Sequence, residues 1–178
     1  MQGKYDFSFK FKMPSVKADP TQSKKEQKAA AGAITKGALK GSSDVEKQLP
    51  VELDKSMSQA IWGPFNPKYN YLSRGGQMRT SGTRSLIDTG RLRDSLKIAT
   101  SFGKTQTKTK ITYNAPYATI THDGGVIQPY GNKNADTVVL PPRPWITYTL
   151  GDSDGQEGRY DVKAVYTKAI QDAWGAGS

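Results

Sequence analysis

Residues 4 to 13 alternate without a break. Tyr5, Phe7, Phe9, Phe11 and Met13 fall on one side, and Lys4, Asp6, Ser8, Lys10 and Lys12 on the other. Successive side chains of an extended chain leave on opposite faces, so a strict period of two predicts a half-buried strand. Pro14 ends it, having no N–H for a ladder.

The next stretches carry helical periods. Asp19-Pro20 reads as a helix opening, with proline at the first helical position. Gln22 to Lys40 is rich in Lys, Gln and Ala, and only Ile34 and Leu39 are large and apolar. It has helical propensity but little to bury, which predicts either a frayed helix or one packed against another subunit. Gly41-Ser42-Ser43-Asp44 predicts a break and a fresh start. Val45, Leu49, Leu53, Met57 and Ile61 then recur every four residues, an amphipathic stripe whose plainest use is core packing. Pro50 lies inside the stripe and should kink or restart the helix. Far downstream, Val162, Val165, Tyr166, Ala169, Ile170, Ala173 and Trp174 predict a second amphipathic helix, stopped by Gly175.

Between these helices the pattern changes twice. Residues 62–85 hold Gly, Pro, Tyr69 and Tyr71, then Arg74, Arg79 and Arg84 among Ser, Thr and Gly. This reads as a long basic loop. Arginine beside glycine and tyrosine suits phosphate contact and base stacking, and suits an acidic protein groove equally well. Asp88 or Thr89 can then cap a short helix in which Gly90 gives a sharp turn and Leu92 and Leu96 share one face. Residues 97–102 and 107–113 read as an antiparallel hairpin joined through Gly103, with Thr107, Thr109, Ile111 and Tyr113 on one face. Tyr117 to His122 is a short turn of helix or strand closed by Asp123-Gly124-Gly125. A loop over 128–136 precedes a strand at 137–140. Pro141-Pro142-Arg143-Pro144-Trp145 predicts a rigid extended corner, and 151–158 a flexible acidic loop.

The fold class expected is α+β. An antiparallel sheet packs with an N-terminal long or broken helix and a C-terminal amphipathic helix, with extended arms. One domain over 1–178 is expected, with a strand at 1–13, a helical region at 14–61, the basic loop at 62–85 and an α+β core at 86–174. Only 35% of residues are apolar, and 18 Gly with 10 Pro favour long loops or arms, some ordered only against a partner. A net charge of +10 fits a polyanionic neighbour, either nucleic acid or an acidic protein surface. The absence of cysteine excludes disulfides and thiolate metal sites. No apolar run reaches the roughly 20 residues of a membrane span, and the start lacks a signal-peptide core, so the host cytoplasm is the expected place of synthesis.

Catalytic chemistry is hard to assemble from these residues. The single histidine, His122, stands beside Asp123 with no second His or any Cys to share a metal, and reads as a structural residue. Asp152, Asp154 and Glu157 miss the spacing of a calcium loop. Gly75-Gly76 and Gly124-Gly125 lack the strand and helix context of a phosphate cradle. No catalytic constellation, cofactor or metal is expected.

Four pieces in order carry a resemblance: Asp88-Thr89-Gly90-Arg91-Leu92-Arg93-Asp94-Ser95-Leu96, then Pro116-Tyr117-Ala118, then Gly124-Gly125, then Leu140-Pro141-Pro142-Arg143-Pro144-Trp145. Over residues 86 to 174 the chain resembles the tail-completion and virion-morphogenesis families of tailed bacteriophages. Those families show a TG-x-L-x-x-S helix start, a strand pair, a YA followed by glycine, and a P-x-RPF corner. Trp145 stands here where Phe is usual, and Thr121-His122-Asp123-Gly124 is similar to the His-containing turn of the virion-morphogenesis branch. The resemblance implies a non-enzymatic structural protein of the virion neck or tail. It would form a sixfold or twelvefold ring with itself and meet portal or adaptor proteins, or tail-terminator or tube proteins, with DNA in the channel and no membrane. Thr89, Gly90, Leu92, Ser95, Tyr117, Ala118, Gly124, Pro142, Arg143, Pro144 and Trp145 would be its structural motif. Leu92, Leu96, Tyr117, Trp145, Ile170 and Trp174 are expected in the core. Arg74, Arg79 and Arg84 would face the channel or the adjoining ring, and Arg143 would fix the corner through charge-assisted bonds. The alternative is a basic nucleic-acid-binding protein contacting phage DNA, resting on net charge and the Arg/Tyr loop.

Overall fold

The computed structural model describes residues 4–16, 21–59, 71–72, 78–79, 90–127, 137–151 and 158–176. Along them run β1 (Tyr5–Lys12), α1 (Lys24–Ser58), β2 (Tyr71–Leu72), β3 (Met78–Arg79), α2 (Arg91–Asp94), β4 (Leu96–Phe102) and β5 (Gln106–Tyr113). Then follow α3 (Ala118–Asp123), β6 (Gly125–Ile127), β7 (Val138–Leu140), α4 (Trp145–Leu150) and α5 (Val162–Gly175). Helices with antiparallel strands, including the long N-terminal and the C-terminal helix, make this the α+β class.

The period-two segments form one three-stranded sheet in the order β1-β5-β4. Gly103 N–H donates to the Gln106 carbonyl (2.8 Å), closing the predicted β4–β5 hairpin. Met13 N–H donates to the Thr105 carbonyl (2.9 Å), so β1 runs antiparallel on the other side of β5. Thr107, Thr109, Ile111 and Tyr113 are all buried, as their alternation requires.

The chain divides into two compact units. One comprises Met1–Asp6, Val51–Lys97 and Thr112–Arg159, the other Phe7–Pro50, Ile98–Ile111 and Tyr160–Ser178.

In the second of these, α1 differs from its sequence reading. It begins at Lys24 rather than at Asp19-Pro20, which lie outside the described residues. Ser23 and Glu26 form a reciprocal capping box: Glu26 Oε2 accepts from Ser23 N–H (2.8 Å), and Ser23 Oγ accepts from Glu26 N–H (3.3 Å). The helix then runs unbroken through Gly41-Ser42-Ser43-Asp44 and Pro50. Packing overrides the local breakers. A Cβ on Gly37 would stand 2.5 Å from Ile170 Cα, and one on Gly41 would stand 2.8 Å from Tyr166 Cδ1. These glycines remove bulk where α5 lies against α1. The segment that reads as having little to bury therefore packs on the chain's own C-terminal helix, with Ile34 and Ala38 buried. Tyr166 completes the contact, its ring stacked on Phe11 (centroids 4.4 Å apart) and its hydroxyl 2.8 Å from Ser42 Oγ. At the open edge of β4, Thr100 N–H donates to Glu46 Oε1 (3.1 Å), which shields that edge.

In the other unit, Leu53 and Met57 of α1 are buried, and the hydroxyls of Ser56 and Thr149 meet at 2.6 Å. β6 and β7 pair antiparallel, with Val126 opposite Val139. Only β7 was foreseen, because Gly125-Val126-Ile127 is too short to show a period. α4 was also missed: residues after Pro144 turn helical, and Thr149 Oγ1 donates to the Trp145 carbonyl (2.7 Å). Inside the stretch read as loop, Tyr71 pairs with Arg79 and Leu72 with Met78.

Candidate functional site

The glycine-pair and proline-corner pieces of the motif meet at one corner, and a glycine makes the meeting possible. Gly124 ends α3 with φ +77°, a conformation that side chains resist, and a Cβ there would stand 2.8 Å from both the Leu140 carbonyl oxygen and Pro142 N. This close approach lets Arg143 N–H donate to the His122 carbonyl (2.9 Å) and ties the proline corner to the α3 turn. Pro144 occupies the N-cap of α4 and Trp145 its first position.

Around that junction is an aromatic cluster. The His122 ring lies 4.2 Å from Tyr5 and 4.8 Å, edge-on, from Trp145, while Tyr113 meets Trp145 at 5.4 Å in a T-shaped contact. Edge-to-face contacts of this kind add attraction beyond area burial. Trp145 and Arg143 are both fully shut off from solvent. Taking a guanidinium out of water is costly unless it is hydrogen-bonded.

Electrostatics in the corner follow from burial. The His122 ring is pushed below its ordinary pKa by desolvation, partly opposed by Asp123, whose Oδ1 lies 2.6 Å from Nδ1. Its Nε2 is buried with no hydrogen-bond partner among the described residues. A neutral imidazole walled in by two aromatic rings can pack and brace a turn, but cannot reach a substrate in this arrangement. Tyr5 is pushed up to about 12, first by burial and then by Asp123, and Tyr113 is raised further by burial. Among the described residues no group of three or more His, Asp or Glu could hold a metal ion, and no helix is long and apolar enough to cross a membrane.

The remaining expected positions divide clearly. Gly90 sits at the N-cap of α2 with φ +73° and no side-chain cap bond. The cap expected from Asp88 or Thr89 falls outside the described residues, as do Arg74 and Arg84. Arg79 is described only as backbone in β3. Leu92 is buried, but α2 ends at Asp94, so Leu96 belongs to β4 and the two leucines share no helical face. Ser95 Oγ donates to the Leu92 carbonyl (2.7 Å), closing that turn. Ala118 is buried as expected.

Two expected core residues are exposed instead. Tyr117 is 37% exposed because it occupies the bend before α3. Trp174 is 51% exposed because the last turn of α5 overhangs an open apolar cleft lined by Pro14, Val16, Ile34 and Ile170. Sequence reasoning set His122 aside as structural without foreseeing that it is the centre of the corner. The signal was its position between the YA turn and the glycine pair.

Comparison of the chain with protein-family models, curated proteins and solved structures gave no match.

Proposed function

We propose that this chain is a structural component of a tailed-phage virion, acting at the head–tail junction as a ring that joins head and tail. The observation that supports the reading is the packing of two motif pieces, the turn at His122 to Gly124 and the proline corner, against one another. Gly124 against Leu140 and Pro142, Arg143 on His122, and Trp145 against His122 and Tyr113 give the ordered resemblance a shared physical purpose. Residues spaced along the sequence for no joint reason would have no cause to meet. The same corner leaves Tyr117, Pro142, Val126 and Val139 at the surface, and exposed apolar residues on a ribbon suit contact between copies in a ring. Family members act at the neck, so the partners proposed are a portal or adaptor ring above and tail-terminator or tube proteins below.

The test is a phage genome carrying a stop codon early in this reading frame. Electron microscopy of the lysate should show filled heads and finished tails that fail to join, with joining restored when the protein is supplied from a plasmid. Particles that join normally without it would overturn the proposal.

A further inference from the structure

The outward face of the three-stranded sheet has a charge arrangement that its own folding disfavours. Two contacts fix the register of β1 on β5: Met13 N–H to the Thr105 carbonyl at one end, and Thr112 Oγ1 to Asp6 Oδ1 (2.7 Å) at the other. Both imply the same antiparallel pairing, which sets Lys10 directly opposite Lys108, Lys12 opposite Gln106 and Ser8 opposite Lys110. The Lys10–Lys108 pair is of the closer, non-hydrogen-bonded kind, with Cα atoms about 4.5 Å apart. Like charges directly opposite weaken a ladder. Lys12 is diagonal to Lys108, and Lys110 is two residues further along the same strand, about 6.8 Å away.

All four lysines are exposed, and Lys10, Lys12 and Lys108 have no ion-pair partner among the described residues. On β4 the residues across from Lys108 and Lys110 are Ser101 and Ala99, as the Ser101 Oγ bond to the Lys108 carbonyl indicates. Among the outward positions of the three strands the one carboxylate is Asp6, at the far end of β1, where it pairs with Lys4 (3.7 Å) and accepts from Thr112. Lysine often guards an exposed sheet edge against further pairing. Lys108 and Lys110 lie on the central strand, where no edge needs guarding.

We infer that this sheet face is a docking surface for the phosphate backbone of double-stranded DNA. The lysines of this face are separated only by small or polar residues. No outward aromatic is present to stack single-stranded bases. Lysine is a solvated point charge rather than the bidentate fork that favours fixed carboxylate pairs, which suits sequence-independent contact with phosphates. These lysines are other residues than Arg74, Arg79 and Arg84, and DNA binding here requires neither a ring nor a head–tail junction.

The experiment measures binding of the full chain to a fluorescent duplex by anisotropy, between about 50 and 200 mM salt. Lys10→Glu/Lys108→Glu should weaken binding at least about tenfold at the low-salt end and reduce the slope of log affinity against log salt by about 2. Lys25→Glu/Lys28→Glu on α1 changes net charge equally and should stay within about threefold of wild type, since total charge acts only diffusely. Lys10→Gln/Lys108→Gln removes the repulsion without reversing charge. It should keep or raise the unfolding midpoint while still reducing the slope by about 2, since the same two contacts are lost, which separates lost binding from lost fold. Equal losses from the sheet and helix reversals would overturn the inference, as would a wild-type chain indifferent to duplex. Displacement of duplex by polyglutamate at equal charge would also overturn it, by making an acidic protein the partner.

Discussion

Gly41 leaves a bare strip on α1 over which the Tyr166 ring lies, so close that a methyl group at position 41 would stand 2.8 Å from Cδ1. Gly37, one turn earlier, lies under the backbone of α5 at Ile170. A side chain could yield to an intruding methyl, whereas backbone cannot yield without separating the helices. Gly37→Ala should therefore destabilise the fold by about 1–3 kcal/mol despite its better helix propensity. Gly32, with nothing within 4 Å of its would-be Cβ, is the internal control. Gly32→Ala should stabilise by about 0.5–1 kcal/mol. Thermal unfolding of the two variants checks both signs, and two shifts in the same direction would refute this account of the helix contact.

The Ser42–Tyr166 hydroxyl pair is buried at the same contact. Removing one hydroxyl leaves the other unsatisfied, so Tyr166→Phe and Ser42→Ala should each cost about 1–2 kcal/mol. The double variant should cost less than their sum, because neither orphan then remains. Denaturant titrations of the four proteins give the coupling directly.

His122 makes stability fall on the acid side. Burial holds its folded-state pKa below the ordinary value near 6.5, so the unfolded chain takes up the proton first. The contribution to stability is intact above about pH 6.5 and declines as pH drops toward the folded value, at no more than about 1.4 kcal/mol per pH unit. The charged form would meet Asp123 at Nδ1, with only the aromatic faces of Tyr5 and Trp145 against its ring. Midpoints measured from pH 8 to 5 should fall in the wild type and flatten in His122→Gln. Parallel curves for the two proteins would count against it.

Trp145 carries more of its corner than a smaller aromatic needs to. Trp145→Ala should cost about 3–5 kcal/mol, because the ring is fully buried against His122 and Tyr113. Trp145→Phe keeps an aromatic face there and should cost less than about half as much. Unfolding midpoints of the pair distinguish an aromatic requirement from a requirement for tryptophan.

What the sequence made legible follows from how local each cause is. β1, β5 and α5 were readable because every second or every third to fourth residue repeats the same demand, and the structure meets it. α1 was misread at Gly41-Ser42-Ser43-Asp44 because the reason for the glycines lies about 125 residues away in Tyr166 and Ile170, and no local rule reaches that far. β6 and α4 were missed because three and six residues are too few to establish a period. In the corner, Arg143 and Trp145 could be named from their motif. The role of His122 could not, since nothing in a lone histidine announces that Tyr5 and Trp145 will close over it.

The pairing of β1 with β5 has a consequence during synthesis. On the ribosome, β1 emerges about ninety residues before the strand that pairs with it, a delay of about 5–20 s at ordinary elongation rates. Through that interval Phe7, Phe9 and Phe11 have neither ladder nor cover, and three phenylalanines on one face of an unpaired strand invite aggregation. Lys10 and Lys12, alternating with them, keep the nascent segment hydrated until its partner arrives. Ribosome-bound chains halted before residue 105 should thus be far more prone to clump once those two lysines are made neutral, even where the finished protein tolerates the change.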